Sequence, residues 1–179
     1  MALSEVNSAV RFFLGRGLLD CLPLHLRTAT IDDESRLLKW RNDPQDREAS
    51  FSTEPVEAAE HREWLWQALA DPGQLFLIIE VGHSEGGRDA CGMVRLRGIT
   101  GPTIEISLGV AREYRRHGLG GRILHMATLV AFSLDGAQHV LAAVKPDNEA
   151  SLKMFKRAGY REVGRNGQAV YMRIDRPEK

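Results

Sequence analysis

Ile104-Glu105-Ile106-Ser107-Leu108-Gly109-Val110-Ala111-Arg112-Glu113-Tyr114-Arg115-Arg116-His117-Gly118-Leu119-Gly120-Gly121 is the stretch that decides the fold. Its opening alternates with period two. Ile104, Ile106, Leu108 and Val110 fall on one face of a strand, and Thr103, Glu105, Ser107 and Gly109 on the other. A basic, glycine-bearing turn follows, then a helix over 118–134 with Leu119, Ile123, Met126, Ala127 and Val130 along one side. The first turn of a helix carries backbone N–H groups without intrahelical partners, and a partial positive charge. Glycines at 118, 120 and 121 let a ligand come close to that backbone, while Arg115, Arg116 and His117 add charge. Such a turn suits a pyrophosphate. The same glycines could also serve only tight packing. A dinucleotide fingerprint fits less well, because it begins Gly-x-Gly and opens a βαβ unit, and no Gly-Lys-Ser/Thr is present for a Walker loop.

Working outward, residues 24–29 alternate like a strand, and Thr30 with Asp33 reads as a helix-capping pair. A helix carrying Leu37, Leu38 and Trp40 should stop at Asn42-Asp43-Pro44, followed by a polar loop with Arg47, Ser50 and Phe51. Pro55 is expected to open a second helix, with Trp64, Leu65, Ala68 and Leu69 at helical spacing until Asp71-Pro72-Gly73. Residues 75–81 and 91–97 read as paired strands joined by a turn-rich connector. Beyond the deciding stretch come a strand over 140–144, a helix over 148–158 ended by Gly159, and a strand over 169–174. The order is β, α, α, β-β-β, α-β-α-β, an α+β fold with a mixed sheet in one domain over 23–179. Residues 1–22 stand apart as an N-terminal extension with partial helical character, interrupted by Gly15 and Gly17.

Lys plus Arg and Asp plus Glu each total 24, so no net field draws the chain to nucleic acid or an anionic membrane. No apolar run reaches the roughly 20 residues of a membrane helix. The segment 10–14 is too short and charge-interrupted for a secretory core, so a cytoplasmic protein is expected. Cys21 and Cys91 fit no metal spacing and read as reduced, buried thiols; no metal is expected.

Residues 104–121 resemble motif A of the GNAT superfamily of N-acetyltransferases, whose Gln/Arg-x-x-Gly-x-Gly/Ala signature is matched by Arg115 to Gly120. Residues 144–160 are similar to its motif B, an Asn-x-x-Ser/Ala helix ending in Gly-Phe or Gly-Tyr, here Asn148, Ser151 and Gly159-Tyr160. The resemblance covers roughly 24–174. It implies acetyl-CoA as co-substrate, in a V between splayed strands 103–110 and 140–144 of a mostly antiparallel sheet with helices on both faces. The backbone of Leu108 and Val110 would hold the pantetheine arm, and amides of Arg115, Arg116, His117, Gly118, Leu119 and Gly120 the pyrophosphate. Asn148 and Ser151 would touch the pantetheine or phosphate region, with Phe155 near the thioester.

Direct transfer needs a neutral amine and a stabilised thioester oxygen. Glu105 is a candidate base acting through water, with Ser107 as auxiliary; Glu105 could equally form cross-strand ion pairs with Arg95 and Arg97. Many family members place a proton-donating tyrosine where this chain has Phe155, and His61, Tyr171 and Tyr160 are the possible substitutes. Tyr160 also reads as a hydrophobic plug.

The family builds its acceptor pocket from the first two helices and their connection. Here that region resembles acetyltransferases of amino-sugar nucleotides and of ribosomal-protein N-termini. Arg41 and Arg47 could meet phosphates, Trp40, Phe51 or Trp64 could stack on a base or sugar, and His61 faces the same region. Core anchoring for the tryptophans and surface positions for the arginines and His61 are the plainer roles. The expected activity is acetyl transfer to a primary amine of a small acceptor, the alternatives being a peptide N-terminus or a non-catalytic acetyl-CoA-binding module. A monomer or homodimer is expected.

Overall fold

The computed structural model describes residues 23–82 and 87–178. The expected N-terminal extension and Cys21 lie outside the described residues.

Strand β1 (Leu24–Thr28) is followed by a single 3-10 turn (Ile31–Asp33) and helix α1 (Glu34–Arg41). The Thr30 backbone N–H donates to Asp33 Oδ2 at 3.0 Å, and Arg27 holds both oxygens of that carboxylate at 2.7 Å. The segment expected to be a polar loop contains a short helix, α2 (Pro44–Ala49). Asp43-Pro44 ends one helix and starts the next: Pro44 stands at the first helical position, and the Asp43 carboxylate accepts from the N–H groups of Gln45 and Asp46. Helix α3 (Ala58–Ala70) begins three residues after Pro55. The delay has a local cause, since Asn42 pairs both ways with the Val56 backbone, at 2.8 Å each, and keeps that segment out of the helix.

Strands β2 (Gln74–Gly82), β3 (Arg88–Arg97) and β4 (Thr103–Val110) form an antiparallel meander. A 3-10 turn (Arg112–Tyr114) leads to helix α4 (Leu119–Ser133), then β5 (His139–Val144), α5 (Glu149–Arg157), β6 (Arg161–Arg165) and β7 (Val170–Asp175). Strand β6 was not foreseen; four of its five side chains are exposed, so its sequence carries no buried periodicity to read. Among the described residues one sheet runs β1-β2-β3-β4-β5-β7-β6, antiparallel except at β4–β5.

Helices cover both faces. Ile104 and Ile106 bury against Ile123, Leu124 and Ala127 of α4, and Phe155 of α5 joins that core. On the opposite face Leu37 and Leu65 pack on Phe76 and Ile78. The period-two reading of β4 holds: Ile104 and Ile106 are buried while Glu105 and Ser107 are exposed. Cys91 is buried and free, and burial pushes its thiol up to about 11, which leaves it inert. No helix among the described residues is long and apolar enough to cross a membrane.

Candidate active site

The site begins with a failure of pairing. Strand β4 meets parallel β5 only over Thr103–Glu105 against His139–Leu141; Ala142, Ala143 and Val144 then pair with β7 alone. From Ile106 to Val110 the β5-facing edge of β4 has no strand beside it, so its backbone polar groups need another partner. A cleft of about 1190 Å³ opens there.

At one end of the cleft lies the basic turn. Arg116 has φ +64° and Gly118 φ +73°, left-handed conformations that an arginine adopts only at a cost of about 1–2 kcal/mol. Two left-handed residues this close together, just before the first turn of α4, suit the kind of concave backbone turn that binds anions. A Cβ built on Gly118 or Gly121 would meet nothing within 4 Å, so the space over them is open. Gly120 serves packing instead, since a Cβ there would come 3.0 Å from Met154 Sδ of α5. The residues present therefore fit a diphosphate joined to an extended arm.

The charge in the turn is not all available. The Arg115 guanidinium approaches Asp46 Oδ2 at 2.6 Å and Asp43 at 3.5 Å, and donates to Gln45 Oε1 at 2.8 Å, while its Nε donates to the Val110 carbonyl at 2.9 Å. Arg115 thus ties the turn to α2, and the Val110 carbonyl is engaged within the protein. Burial pushes the Asp46 carboxyl up, against the Arg115 charge that favours its ionised form. At the opposite lip Lys145 Nζ donates to the Glu48 carbonyl at 2.8 Å. Helix α2 is strapped across the cleft at both ends. Nothing in the local sequence signals this, because the partners lie 70 and 97 positions away.

Most residues expected at the site do line the cleft. Leu108, Arg116, Gly118, Leu119 and Gly120 do so along β4 and the turn, with Arg115 and Val110 engaged as above. His117 is not among the lining residues. Asn148 and Ser151 line the cleft too, but the Asn148 side chain caps α5 by accepting from the Ser151 N–H at 3.1 Å. Phe155 is buried, edge-on to Tyr160 with centroids 5.0 Å apart.

The proposed base, Glu105, is placed elsewhere. It sits on the zipped part of the β4–β5 pair, directly opposite Arg97, whose Nη2 lies 2.5 Å from its carboxylate, and it is not a lining residue. Ser107, two residues on, does line the cleft. Arg95 forms no pair with Glu105. Its guanidinium lies 4.9 Å from the Trp64 ring centroid and 5.6 Å from that of Phe76, donates to Gln74 Oε1 at 2.9 Å, and keeps a buried Nε without a partner.

Of the three expected substitutes for the missing tyrosine, two are occupied. The buried Tyr160 hydroxyl shares a 2.7 Å hydrogen bond with Thr128 Oγ1, and burial pushes it up to about 12. The Tyr171 hydroxyl accepts from Asn166 Nδ2 at 3.3 Å. His61 lines the cleft, is only 2% exposed, and has Nδ1 buried with no hydrogen-bond partner. It stands against Trp64 with centroids 5.3 Å apart. Burial holds its pKa below the ordinary value; Glu34 opposes that shift and Arg41 adds to it.

Arg41 and Arg47 do not present themselves as phosphate ligands. Arg41 Nη2 reaches the Ser52 and Glu54 carbonyls at 3.2 Å, and Arg47 donates to the Thr53 carbonyl at 3.0 Å, so the pair organises the 52–54 loop. Arg41 lines the cleft and keeps a buried Nη1 unpartnered; Arg47 is not a lining residue. Trp40, Trp64, Phe76 and Met93 wall the same part of the cleft, and the last two were not foreseen. Phe76 lies in a continuous apolar run, where periodicity gives no face.

A half-zipped parallel strand pair, with an amide-lined anion turn at its open end, defines a coenzyme-A-dependent acyltransferase. The chain matches the acetyltransferase (GNAT) domain over residues 24–161 and belongs to that family. It is an acetyl-CoA-dependent N-acetyltransferase. No curated protein matches it. Among solved structures it is similar in fold to a domain from Methanocaldococcus jannaschii DSM 2661 (TM-score 0.77, 18% identity, 87% of this chain and 99% of that one). It is likewise similar to spermidine N-acetyltransferase from Vibrio cholerae in complex with CoA and spermine (TM-score 0.74, 18% identity, 85% and 95%). A third is aminoglycoside acetyltransferase AAC(6')-Ib in complex with coenzyme A (TM-score 0.73, 19% identity, 86% and 95%).

Proposed function

We propose that the enzyme acetylates the primary amine of a small acceptor by direct transfer, with His61 taking the amine proton. An amino-sugar nucleotide is the acceptor class placed first. The observation that carries this reading is His61 itself, a buried imidazole with an unpartnered nitrogen, in a cleft that also contains the splayed edge of β4. Bound acetyl-CoA supplies an activated acyl carbon and a thiolate leaving group.

The chain's own residues supply the rest. The amides of 116–120 hold the diphosphate, and the free edge of β4 around Leu108 orients the extended arm. His61, kept neutral by burial, accepts the proton that an incoming ammonium must lose before its nitrogen can attack. Ser107 offers a hydroxyl on the cleft side of β4. Phe155 has no proton to give, so solvent protonates the departing thiolate. The strapped α2 helix encloses the acceptor side, which favours a small molecule over an extended peptide. Trp40 and Phe51 offer flat surfaces for a base, and Arg41 Nη1 offers a donor for an acceptor oxygen.

The test is thiol release from acetyl-CoA with UDP-linked amino sugars and N-terminal peptides as acceptors, with products weighed by mass spectrometry. A gain of one acetyl group on the sugar amine is expected. Acetylation of peptides alone would remove the small-molecule reading, and acetyl-CoA binding without turnover on any amine would remove the catalytic one.

A further inference from the structure

We infer that the acceptor is a monoamine: its reacting nitrogen is its only cationic centre, and the body that carries it presents an apolar or aromatic face to the cleft wall. The inference rests on the acceptor half of the cleft being the site proposed above.

Charge is the first argument. Among the described residues lining the cleft there is one carboxylate, Asp46, against the cations Arg41, Arg115, Arg116, Lys145, Lys153 and Arg157. Asp46 is already held by Arg115 at 2.6 Å. The cations beside the turn answer a diphosphate. Nothing in the lining answers a second ammonium, and an ammonium taken from water without a carboxylate is strongly disfavoured.

The aromatic wall closes the other route. Aromatic rings can hold a cation on their faces. Here Trp64 and Phe76 already have a cation at that distance, the Arg95 guanidinium, so a second positive charge in front of them would meet repulsion as well. With Trp40, Leu37, Val56 and Met93, these rings remain as apolar surface. Arg41 Nη1, buried and unpartnered, calls for a neutral or anionic oxygen on the ligand. An amino-sugar nucleotide meets these conditions, with one amine and a base to stack. Spermidine and kanamycin, each carrying several amines, do not.

The test compares hexylamine with 1,6-diaminohexane, which differ by one terminal ammonium, in acetyl-CoA-dependent thiol release at neutral pH. The diamine is expected to show kcat/KM at least about tenfold lower, the consequence of one unpaired ammonium. Met93→Glu, which adds a carboxylate to the wall, should narrow that gap; Val56→Glu does the same at a half-buried position if the first variant fails to fold. Equal or better use of the diamine by the unaltered protein overturns the inference. If neither amine is acetylated, the failure belongs to the proposed reaction, and calorimetry of both amines on CoA-saturated protein reads the inference alone. About tenfold tighter binding of hexylamine supports it; equal binding, tighter diamine binding, or binding of neither overturns it.

Discussion

His61 concentrates the chemistry that a single residue can carry. Its folded-state pKa lies below the ordinary 6.5, because burial disfavours the imidazolium more than Glu34 restores it. The unfolded chain therefore takes the proton first as pH falls. Stability from this group is complete above about pH 6.5 and is lost progressively below it, down to the folded-state value. His61→Gln should flatten that part of the stability profile in denaturant titrations. It should also lower kcat/KM by about 10²- to 10⁴-fold at neutral pH and remove the acid limb of the rate profile. An unchanged limb would assign the proton to another group. Gly118 makes the contrasting case. Its φ of +73° would cost an alanine about 1–2 kcal/mol, but a Cβ there touches no protein atom. Gly118→Ala should therefore fold and raise the KM for acetyl-CoA with kcat nearly unchanged, because the methyl would stand in the open space proposed for the diphosphate. Both residues could be picked from the sequence, Gly118 for its place in a strand-turn-helix and His61 only as one of several polar side chains near the first helices. Its partnerless nitrogen is a property of packing.

Elements set the geometry in which those residues act. The splay of β4 from β5 follows from β5 pairing with β7 along its whole length while meeting β4 at three positions. Close backbone approach between β3 and β4 supports the other side: a Cβ on Gly92 would lie 2.5 Å from the Gly109 carbonyl oxygen. Gly92→Ala should then cost about 1–3 kcal/mol, because backbone cannot step aside. Gly120→Ala at the α4–α5 contact crowds the flexible Met154 side chain and meets Val110 only at ordinary contact distance, and the helix preference for alanine offsets the crowding. Thermal melts of the two variants should separate them clearly; equal melting points would mean that the β3–β4 contact relaxes more easily than its geometry implies. Helix α2 is joined to the glycine turn through Arg115 and to the end of β5 through Lys145. Its hydrogen bonds span 70 and 97 residues, and sequence patterning reads neighbours within a turn or a strand, so the region was legible only as polar.

At the scale of the whole molecule, ligand binding and folding are linked. Acetyl-CoA at about 100 times its dissociation constant should stabilise the native state by about 2.7 kcal/mol, or about 5–10 °C in Tm for a chain of this size. Differential scanning fluorimetry checks this, and absence of any shift would mean that the cleft does not hold the coenzyme. Sequence alone determined the class of fold, the strand-turn-helix at 104–121 and the stop of the 149–157 helix at Gly159, because each depends on local periodicity or glycine conformation. Tertiary structure decided what the polar side chains do. Glu105 became the partner of Arg97, Arg41 and Arg47 became loop anchors, Arg95 went to the aromatic wall, and His61 was left buried with a free nitrogen. A charged or polar side chain takes whichever partner the fold brings within about 3 Å, and local periodicity does not say which of the groups on offer that will be.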